Sequence, residues 1–366
     1  MTEDVISFAR GAPSADILPA EAVRVAAERA LTNDWERALS YGKGHGHPGL
    51  AEWIAGAHNL EPDQVMVVNG SMEGAAFLFQ HFLGAGDRVV VEQPSYDRTL
   101  LLLERLGVER VGVPLEADGI DVGALENALS NGPVRLVHVI PNFHNPAGCT
   151  TSAEKRERLV ALAHEHGFLI FEDDPYREVG FEGGPLPTML DLDENDRVIY
   201  ASSFSKTVAP GVRVGYLAGP VEQIGPLAKR ANETYISPNM LAESIVWELC
   251  RTGGLAENTE LVRGALRDRR DALVSALEEH IPEAKFVVPQ GGYFLWLTLH
   301  GDVDTRALVA AAAEEGVTFV PGPDFMLDGG ESALRLSFAP VPPDRIPEGI
   351  ERLARALDRV RTASAA

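Results

Sequence analysis

The chain has 366 residues, of which 45% are hydrophobic and 23% charged, so we expect a large buried core and two domains rather than a disordered or fibrous protein. Its formal net charge of -22 repels phosphate backbones and anionic lipid, which argues against nucleic acid or a membrane surface as a partner. Two distant cysteines, an acidic start and the lack of an apolar run of membrane-spanning length indicate a reduced, cytoplasmic setting.

The first part of the chain predicts a loop, a helix and a glycine-rich turn. Residues 10–13 (Arg-Gly-Ala-Pro) form the predicted loop, and an Ala-, Glu- and Arg-rich stretch over residues 19–32 indicates a helix. The sequence Tyr-Gly-Lys-Gly-His-Gly follows at residues 41–46, and Pro48 is typical of the first position of the next helix.

From residue 65 onwards, short apolar runs alternate with helical stretches such as residues 75–83 and 154–166. The alternation predicts an α/β fold with a mostly parallel, seven-stranded sheet, flanked by helices on both faces. The runs that predict these strands are residues 65–68, 88–91, 110–113, 136–140, 168–171, 198–201 and 212–217.

The last third of the chain predicts a long helix and then a smaller α+β domain. The helical pattern covers about residues 241–279. Beyond it we predict strands at residues 286–288, 293–299, 318–320 and 334–337, and helices at residues 305–315 and 345–361. We divide the chain into residues 1–40, which belong with the small domain, a large cofactor-binding domain over 41–245, a linking helix over 246–275, and a small C-terminal domain over 276–366.

Polar residues follow three of the predicted strands, where ligands bind in open α/β sheets. Residues 145–148 (Asn-Pro-Ala-Gly) make a turn that presents the amide of Asn145 or serves only as a turn. Glu172, Asp173 and Asp174 follow the next strand and suit either a metal ion or a helix cap. We favour a cap, with Asp174 as N-cap and Pro175 at the first helical position, because this leaves Asp173 free to point into the site.

The third cluster surrounds Lys206, one of five lysines in the chain. Ser203 and Ser205 precede it, no acidic residue adjoins it, and Arg213 follows seven residues later. A lysine is usually a solvated surface charge. Hydroxyl groups with one arginine, however, are typical of a phosphate site.

Together these clusters supply the groups that pyridoxal phosphate requires. An amine forms an imine with its aldehyde, and a lone carboxylate keeps its pyridine nitrogen protonated. The phenol of Tyr176 and an amide would bond its ring hydroxyl, and Ser71, in a glycine-containing turn before a helix, suits its phosphate. Tyr96 would stack on the pyridine face or pack as an ordinary core residue. We expect no metal.

The segment Ser-Phe-Ser-Lys-Thr-Val-Ala-Pro-Gly-Val-Arg-Val-Gly at residues 203–215 closely resembles the lysine motif of the fold-type I, class I/II aminotransferases, which depend on pyridoxal phosphate. It is most similar to the branch with 2-aminoadipate and aromatic aminotransferases and the sensor domains of MocR-type regulators. The resemblance implies the aspartate aminotransferase-like fold of PLP-dependent transferases. It also implies an enzyme of amino acid metabolism that moves the amino group of an L-amino acid to a 2-oxo acid through a Schiff base on Lys206. Further matches occur at residues 8–19, 41–42, 145–148, 173–176, 289–294 and 334–336.

The resemblance also implies a role for each matching residue at the cofactor. Lys206 moves the substrate proton, Asp173 contacts the pyridine nitrogen, Asn145 and Tyr176 contact the ring hydroxyl, and Tyr96 stacks on the ring. The phosphate cup consists of Ser71, Met72 through its backbone N–H, Ser203, Ser205 and Arg213.

Substrate and subunit contacts follow from the same resemblance. Arg335 grips the substrate α-carboxylate with a bidentate fork, and Asn145 and Gly11 also face the substrate. Arg10, in the loop over the substrate side chain, either binds a distal carboxylate or faces solvent. Tyr41 reaches the phosphate of the neighbouring subunit, which implies a homodimer with shared active sites.

Several positions depart from the family pattern and leave the substrate pocket open: Met72, Glu73, His144, Ala147 and Ala242. The same cofactor residues would serve a lyase, a decarboxylase or an oxidase acting on an amino acid. A non-catalytic sensor role is the third alternative, although it requires a DNA-binding module for which we expect no room before residue 10, and the acidic charge counts against DNA.

Overall fold

The structure is a computed structural model and describes residues 5–301 and 303–364, so the acidic start at residues 1–4 lies outside the described residues. Within the described part of the chain, no helix is both long and apolar enough to cross a membrane. The helices are α1 (Ala20–Asn33), α2 (Trp35–Ala38), α3 (Pro48–Ala57), α4 (Ser71–Phe82), α5 (Asp97–Arg105), α6 (Val122–Ser130), α7 (Ala153–His166), α8 (Met189–Leu192), α9 (Val221–Tyr235), α10 (Met240–Thr252), α11 (Gly254–His280), α12 (Thr305–Glu314) and α13 (Ile346–Ser364). The strands are β1 (Ile6–Ser7), β2 (Val65–Val68), β3 (Arg88–Gln93), β4 (Glu109–Glu116), β5 (Gly119–Ile120), β6 (Leu136–Val139), β7 (Leu169–Asp173), β8 (Val198–Ser203), β9 (Gly215–Ala218), β10 (Phe294–Thr298), β11 (Val317–Thr318), β12 (Val320–Pro321) and β13 (Ala333–Ser337).

The large sheet has the strand order β2-β9-β8-β7-β6-β3-β4-β5. Strands β8, β7, β6, β3 and β4 are parallel, whereas β9 runs antiparallel to both of its neighbours. This confirms the mostly parallel α/β sheet predicted from the alternating pattern. The sequence did not predict the eighth strand, β5, because it has only two residues. It forms an antiparallel hairpin with the end of β4.

Side chains from the middle strands enter separate apolar clusters on the two faces of the sheet. In β7, Phe171 joins a cluster with α4 and α9, and Ile170 joins another with α6 and α7. Successive side chains of a strand point to opposite faces, so both faces of this sheet are covered. Because both faces are buried, the strands of this sheet are apolar at successive positions in the sequence.

A second unit contains the sheet β10-β13-β12 and packs against α11, α12 and α13. Ile6 and Phe8 lie in the same cluster as this C-terminal unit, and β1 pairs in parallel with β11. These contacts join residues 6–8 to the C-terminal unit, whereas Ala26 of α1 lies in a cluster with α3 and α10. The domain boundaries themselves stay a prediction.

Three predicted elements differ in the structure. The helix over residues 241–279 is divided at Gly253, where φ is +82° and the chain leaves the helical region. The strand predicted from residue 212 begins at Gly215, because Arg213 has a left-handed φ of +52°. The strand at residues 286–288 is wrong: Lys285 pairs with Thr298 only through an isolated bridge, and the following valines are exposed.

Arg156 of α7 stabilises the loop that enters the site after β6. Its side chain is fully buried and donates to the carbonyl oxygens of Thr151 at 2.9 Å, Pro187 at 3.0 Å and Pro141 at 3.1 Å. It also donates to Oδ1 of Asn142 at 2.7 Å. The Pro141 carbonyl also accepts from the Thr151 N–H at 2.8 Å, so the other three acceptors depend most on this guanidinium.

We expect Arg156→Met to lower the free energy of unfolding by about 3 kcal/mol, because it leaves buried acceptors without donors. Urea denaturation followed by circular dichroism measures the change. Arg158→Met is the matched control on the same helix, since Arg158 makes only exposed ion pairs with Glu126 and Glu165. Equal denaturation midpoints for the two variants would contradict the anchoring role of Arg156.

Candidate active site

The carboxyl ends of β6, β7 and β8 open onto a cavity of about 260 Å³. Eleven of the residues predicted from the sequence line it: Gly11, Ser71, Met72, Tyr96, Asn145, Asp173, Tyr176, Ser203, Ser205, Lys206 and Arg213. A larger cavity of about 420 Å³ lies between α3, β8 and α11 and shares only Pro175 and Ser203 with it. The larger cavity lacks the lysine, so we place the candidate active site in the smaller one.

Lys206 follows β8 and directs its amine into the cavity. Its Nζ donates to the carbonyl oxygen of Gly11 at 3.2 Å. Burial lowers the pKa of this amine to about 8, the charges of Arg335 and Arg213 act in the same direction, and Asp173 opposes them. The amine therefore loses its proton at a lower pH than an ordinary lysine and is available as a nucleophile or base.

Asp173 is the last residue of β7, and its carboxylate is a buried acceptor in the cavity wall. His138 lies behind it, with Nε2 at 3.6 Å from Asp173 Oδ2, which is too long for a hydrogen bond. Neither ring nitrogen of His138 has a hydrogen-bond partner within the described residues. A protonated pyridine nitrogen would suit this carboxylate.

Asp174 is not the predicted helix cap. The next helical turn begins at Arg177, with Tyr176 at the capping position. The Asp174 N–H donates to Ala201 at 2.8 Å and continues the strand ladder. Its side chain accepts from Asn142 at 2.7 Å, and burial raises its pKa to about 6. Because side chains alternate along an extended strand, Asp174 points away from the side that Asp173 faces.

Glu172, the first residue of the acidic run, also makes structural hydrogen bonds rather than facing the cavity. Its carboxylate accepts from the backbone N–H groups of Met189 and Leu190 at 2.9 and 3.0 Å, and burial raises its pKa to about 8. Across residues 5–301 and 303–364, no group of three or more His, Cys, Asp or Glu side chains converges as a metal ion requires.

Arg335 lies on β13 and meets the loop of Asn145. Its Nη1 donates to Oδ1 of Asn145 at 2.9 Å, and its Nη2 donates to the carbonyl oxygen of Ala9 at 2.7 Å. Its guanidinium lies 4.4 and 4.8 Å from the ring centres of Phe294 and Phe325. The structure thus holds a buried cation beside the amide, as a site for a carboxylate requires.

The residues predicted to form a phosphate cup lie together at the N-terminus of α4. Gly70 has a φ of +89°, and a Cβ there would lie 2.1 Å from Nη2 of Arg213. Arg213 contacts Oγ of Ser205 at 3.4 Å, and Ser203 Oγ donates to Ser205 Oγ at 2.9 Å. Backbone N–H groups of a helix start, hydroxyls and a guanidinium form a donor set that fits a phosphate dianion.

Tyr96 and Tyr176 supply two phenols to the cavity. Burial raises the pKa of Tyr96 to about 12, and it raises the pKa of Tyr176 well above the usual tyrosine range. Both therefore stay protonated near neutral pH, and Tyr176 keeps an O–H to donate.

Three predicted residues are not among those that line the cavity: Arg335, which is bonded to Asn145, and Tyr41 and Arg10. Tyr41 is 82% exposed and does not line the cavity, and Arg10 is also exposed. Sequence reasoning missed Tyr293, which lies beside the Lys206 amine, and Ala9, whose carbonyl holds Arg335. The Gly-Gly-Tyr-Phe stretch at residues 291–294 was part of a recognised motif, but no spacing in the sequence connects it to residue 206.

Comparison with known proteins identifies related chains. The family model described as aminotransferase class I and II matches residues 3–353. An aromatic-amino-acid aminotransferase of Thermococcus litoralis is 34% identical over 97% of this chain and 88% of its own length, and a 2-aminoadipate transaminase of Thermus thermophilus is 35% identical over 96% and 90%. The crystal structure of the Thermus thermophilus alpha-aminoadipate aminotransferase LysN, complexed with N-(5'-phosphopyridoxyl)-L-leucine, superimposes with a TM-score of 0.94 at 33% identity, covering 99% of this chain and 94% of that one.

We expect Gly70→Ala to raise the dissociation constant of pyridoxal phosphate, the cofactor predicted from the sequence, by about tenfold or more. The added Cβ would displace Arg213, and alanine is strained at a positive φ. Absorbance titration of the apoenzyme measures this constant. Gly56→Ala, within α3, is the control because nothing lies within 4 Å of its Cβ position. Cofactor binding as tight in Gly70→Ala as in this control would exclude the proposed cup.

Proposed function

The chain belongs to the aminotransferases of class I and II, and on that premise we propose how its own residues move the amino group of an L-amino acid to a 2-oxo acid. The observation that carries the proposal is one cavity in which Lys206, Asp173 and Asn145 face one another, with Arg335 bonded to Asn145 at its edge. Relatives that share this reaction include the aromatic and 2-aminoadipate enzymes.

Pyridoxal 5'-phosphate, when bound, supplies a carbonyl that accepts the amine and a pyridinium ring that withdraws electrons from the substrate Cα. Lys206 would hold the cofactor through its Nζ, and the Asp173 carboxylate would accept a hydrogen bond from the protonated pyridine nitrogen and so keep it protonated. Tyr176 and Asn145 orient the ring hydroxyl, and Tyr96 covers one face of the ring. Ser71, the backbone N–H of Met72, Ser203, Ser205 and Arg213 bind the phosphate.

Lys206 also acts as the proton carrier. Its free amine takes the proton from the substrate Cα, and burial keeps the pKa of this amine below the ordinary lysine value. A general base works best when its pKa lies near the working pH, so the burial that lowers this pKa suits the role.

Arg335 binds the α-carboxylate of the substrate. The guanidinium is buried, it is held in place by Ala9 and Asn145, and its Nε has no hydrogen-bond partner within the described residues. Gly11 faces the same space through the loop above Lys206. A fixed arginine aligns the Cα–H bond for removal by the lysine.

Single-turnover spectroscopy tests the proposed function against the lyase, decarboxylase and oxidase alternatives. We expect single L-amino acids to convert the cofactor absorbance of the purified holoenzyme to the pyridoxamine form, and a 2-oxo acid to reverse it. The named relatives are aminotransferases, which does not favour the alternatives. Release of ammonia, carbon dioxide or hydrogen peroxide without an acceptor would identify one of them.

We expect Lys206→Ala to slow the half-reaction by roughly 10²- to 10⁴-fold, the range typical of a lost general base. Borohydride reduction followed by peptide mass spectrometry should attach the cofactor to Lys206 in the wild type and to no lysine in the variant. The control is Lys229→Ala, because that side chain is 77% exposed and its one ion pair among the described residues is with Glu233. A reduced cofactor adduct on any other lysine would refute the assignment.

We also propose a cytoplasmic homodimer with shared active sites. The buried, free thiols of Cys149 and Cys250 suit a reducing compartment. Around α2, the apolar side chains of Trp35, Leu39 and Tyr41 are 54%, 66% and 82% exposed, which favours a partner surface here. On this proposal, Tyr41 of each subunit contacts the phosphate in the other.

Mixing two inactive variants tests the shared site. We expect Tyr41→Ala and Lys206→Ala homodimers each to be impaired, because each of their sites lacks one group. A hybrid dimer contains one site with both groups intact, so refolding an equal mixture should recover about a quarter of wild-type activity. The control mixes Lys206→Ala with Asp173→Ala, which lie in the same chain's site, so every site of the hybrid lacks one group and we expect no recovery. No recovery with Tyr41→Ala in a mixture where native mass spectrometry detects hybrid dimers would show that Tyr41 does not serve the partner.

A further inference from the structure

Two aromatic rings face the amine of Lys206. Its Nζ lies 4.9 Å from the ring centre of Tyr293 and 5.2 Å from that of Tyr176. The two rings are 5.7 Å apart and inclined at 59°. The carbonyl oxygen of Gly11 accepts from the amine at 3.2 Å. The amine therefore lies in a recess with two ring faces and one carbonyl.

Such a recess suits a cation. An ammonium group over an aromatic face is attracted by the ring quadrupole, and the attraction grows when water is excluded. The carbonyl oxygen adds a hydrogen bond to the same group. The two rings and the carbonyl therefore stabilise the protonated form of this lysine.

Tyr293 is held firmly in this position. It precedes β10, is fully buried and belongs to the core shared with α11 and α13. Its backbone carbonyl accepts from Phe338 at 3.0 Å. Its own O–H donates to the carbonyl oxygen of Lys206 at 3.4 Å, so the residue contacts Lys206 at both the side chain and the backbone.

We propose that Tyr293 is a positioning residue that holds the Lys206 amine while it is not bonded to the cofactor, and that its ring favours the protonated form once the amine has taken a proton. The inference rests on the proposed function, in which substrate displaces Lys206 during each half-reaction. A free four-carbon side chain has many rotamers. The ring of Tyr293 would keep the amine near the reacting carbon during this interval, and Tyr176 would be left to serve the cofactor.

Several charged and titratable groups act on this amine. Arg335 on β13 and Arg213 before β9 disfavour its protonated form, and Asp173 on β7 favours it. The neutral phenols of Tyr176 and Tyr293 face it, and Gly11 contributes only its carbonyl. Removing the Tyr293 ring while these groups remain should therefore change the protonation of Lys206 in one direction.

The test uses the pyridoxamine phosphate form of the holoenzyme, in which Lys206 is free. The pH dependence of acetylation by acetic anhydride, read on the Lys206 peptide by mass spectrometry, gives the pKa of the amine. We expect Tyr293→Met, which fills similar space without a ring, to lower this pKa by about half a unit to one unit. Tyr293→Phe keeps the ring and should stay close to wild type, and Lys229 serves as an exposed internal reference. Equal Lys206 pKa values in the Met variant and the wild type would overturn the proposal.

A second series covers the case in which Tyr293→Met fails to fold. Phenylalanines with one, two and three ring fluorines at position 293 keep the shape but weaken the ring quadrupole, so the Lys206 pKa should fall stepwise. A flat series would overturn the proposal. Failure of the proposed function has a different signature, because Lys206 would then be acetylated equally in the pyridoxal and pyridoxamine forms.

Discussion

The electrostatic environment of the buried Lys206 amine is the constraint on which the site depends. Two guanidinium groups disfavour its protonated form, and a single carboxylate favours it. Burial lowers the pKa of this amine most, the charges of Arg335 and Arg213 act in the same direction, and Asp173 opposes them. On the proposed function, each guanidinium takes an anion, the substrate carboxylate at Arg335 and the phosphate at Arg213. Filling the site therefore neutralises two charges that disfavour protonation, so the amine becomes more basic once its ligands are bound.

The parallel sheet brings these groups together because its strands end at the same edge. Asp173 ends β7, and Lys206 and Asn145 follow β8 and β6, the two neighbours of β7 in the sheet. Buried polar side chains support this edge of the sheet. Among them, Asn142 accepts a hydrogen bond from Arg156 and donates one to Asp174. Buried polar side chains thus lie beneath the site as well as within it, and their hydrogen bonds hold the loop after β6.

The N-terminal segment and the C-terminal unit contribute the remaining contacts of the site. Gly11 and Ala9 contribute backbone carbonyls to Lys206 and Arg335, and no side-chain identity is needed for either contact. The segment reaches this place because β1 pairs with β11 and Phe8 packs among the C-terminal helices. Tyr293 belongs to the C-terminal unit, and its O–H donates to the backbone carbonyl oxygen of Lys206.

The sequence by itself determined the alternation of strands and helices and the polar residues that follow the strands. It also singled out Lys206, from five lysines, as the predicted cofactor lysine. These are local properties, since apolar periodicity and a contiguous motif can be read within a few residues. Only the tertiary structure decided that Asp174 is tied to Asn142 rather than capping a helix, and that Tyr293 faces Lys206. Both contacts join residues far apart in the chain, and the direction of a buried side chain depends on which backbone packs beside it.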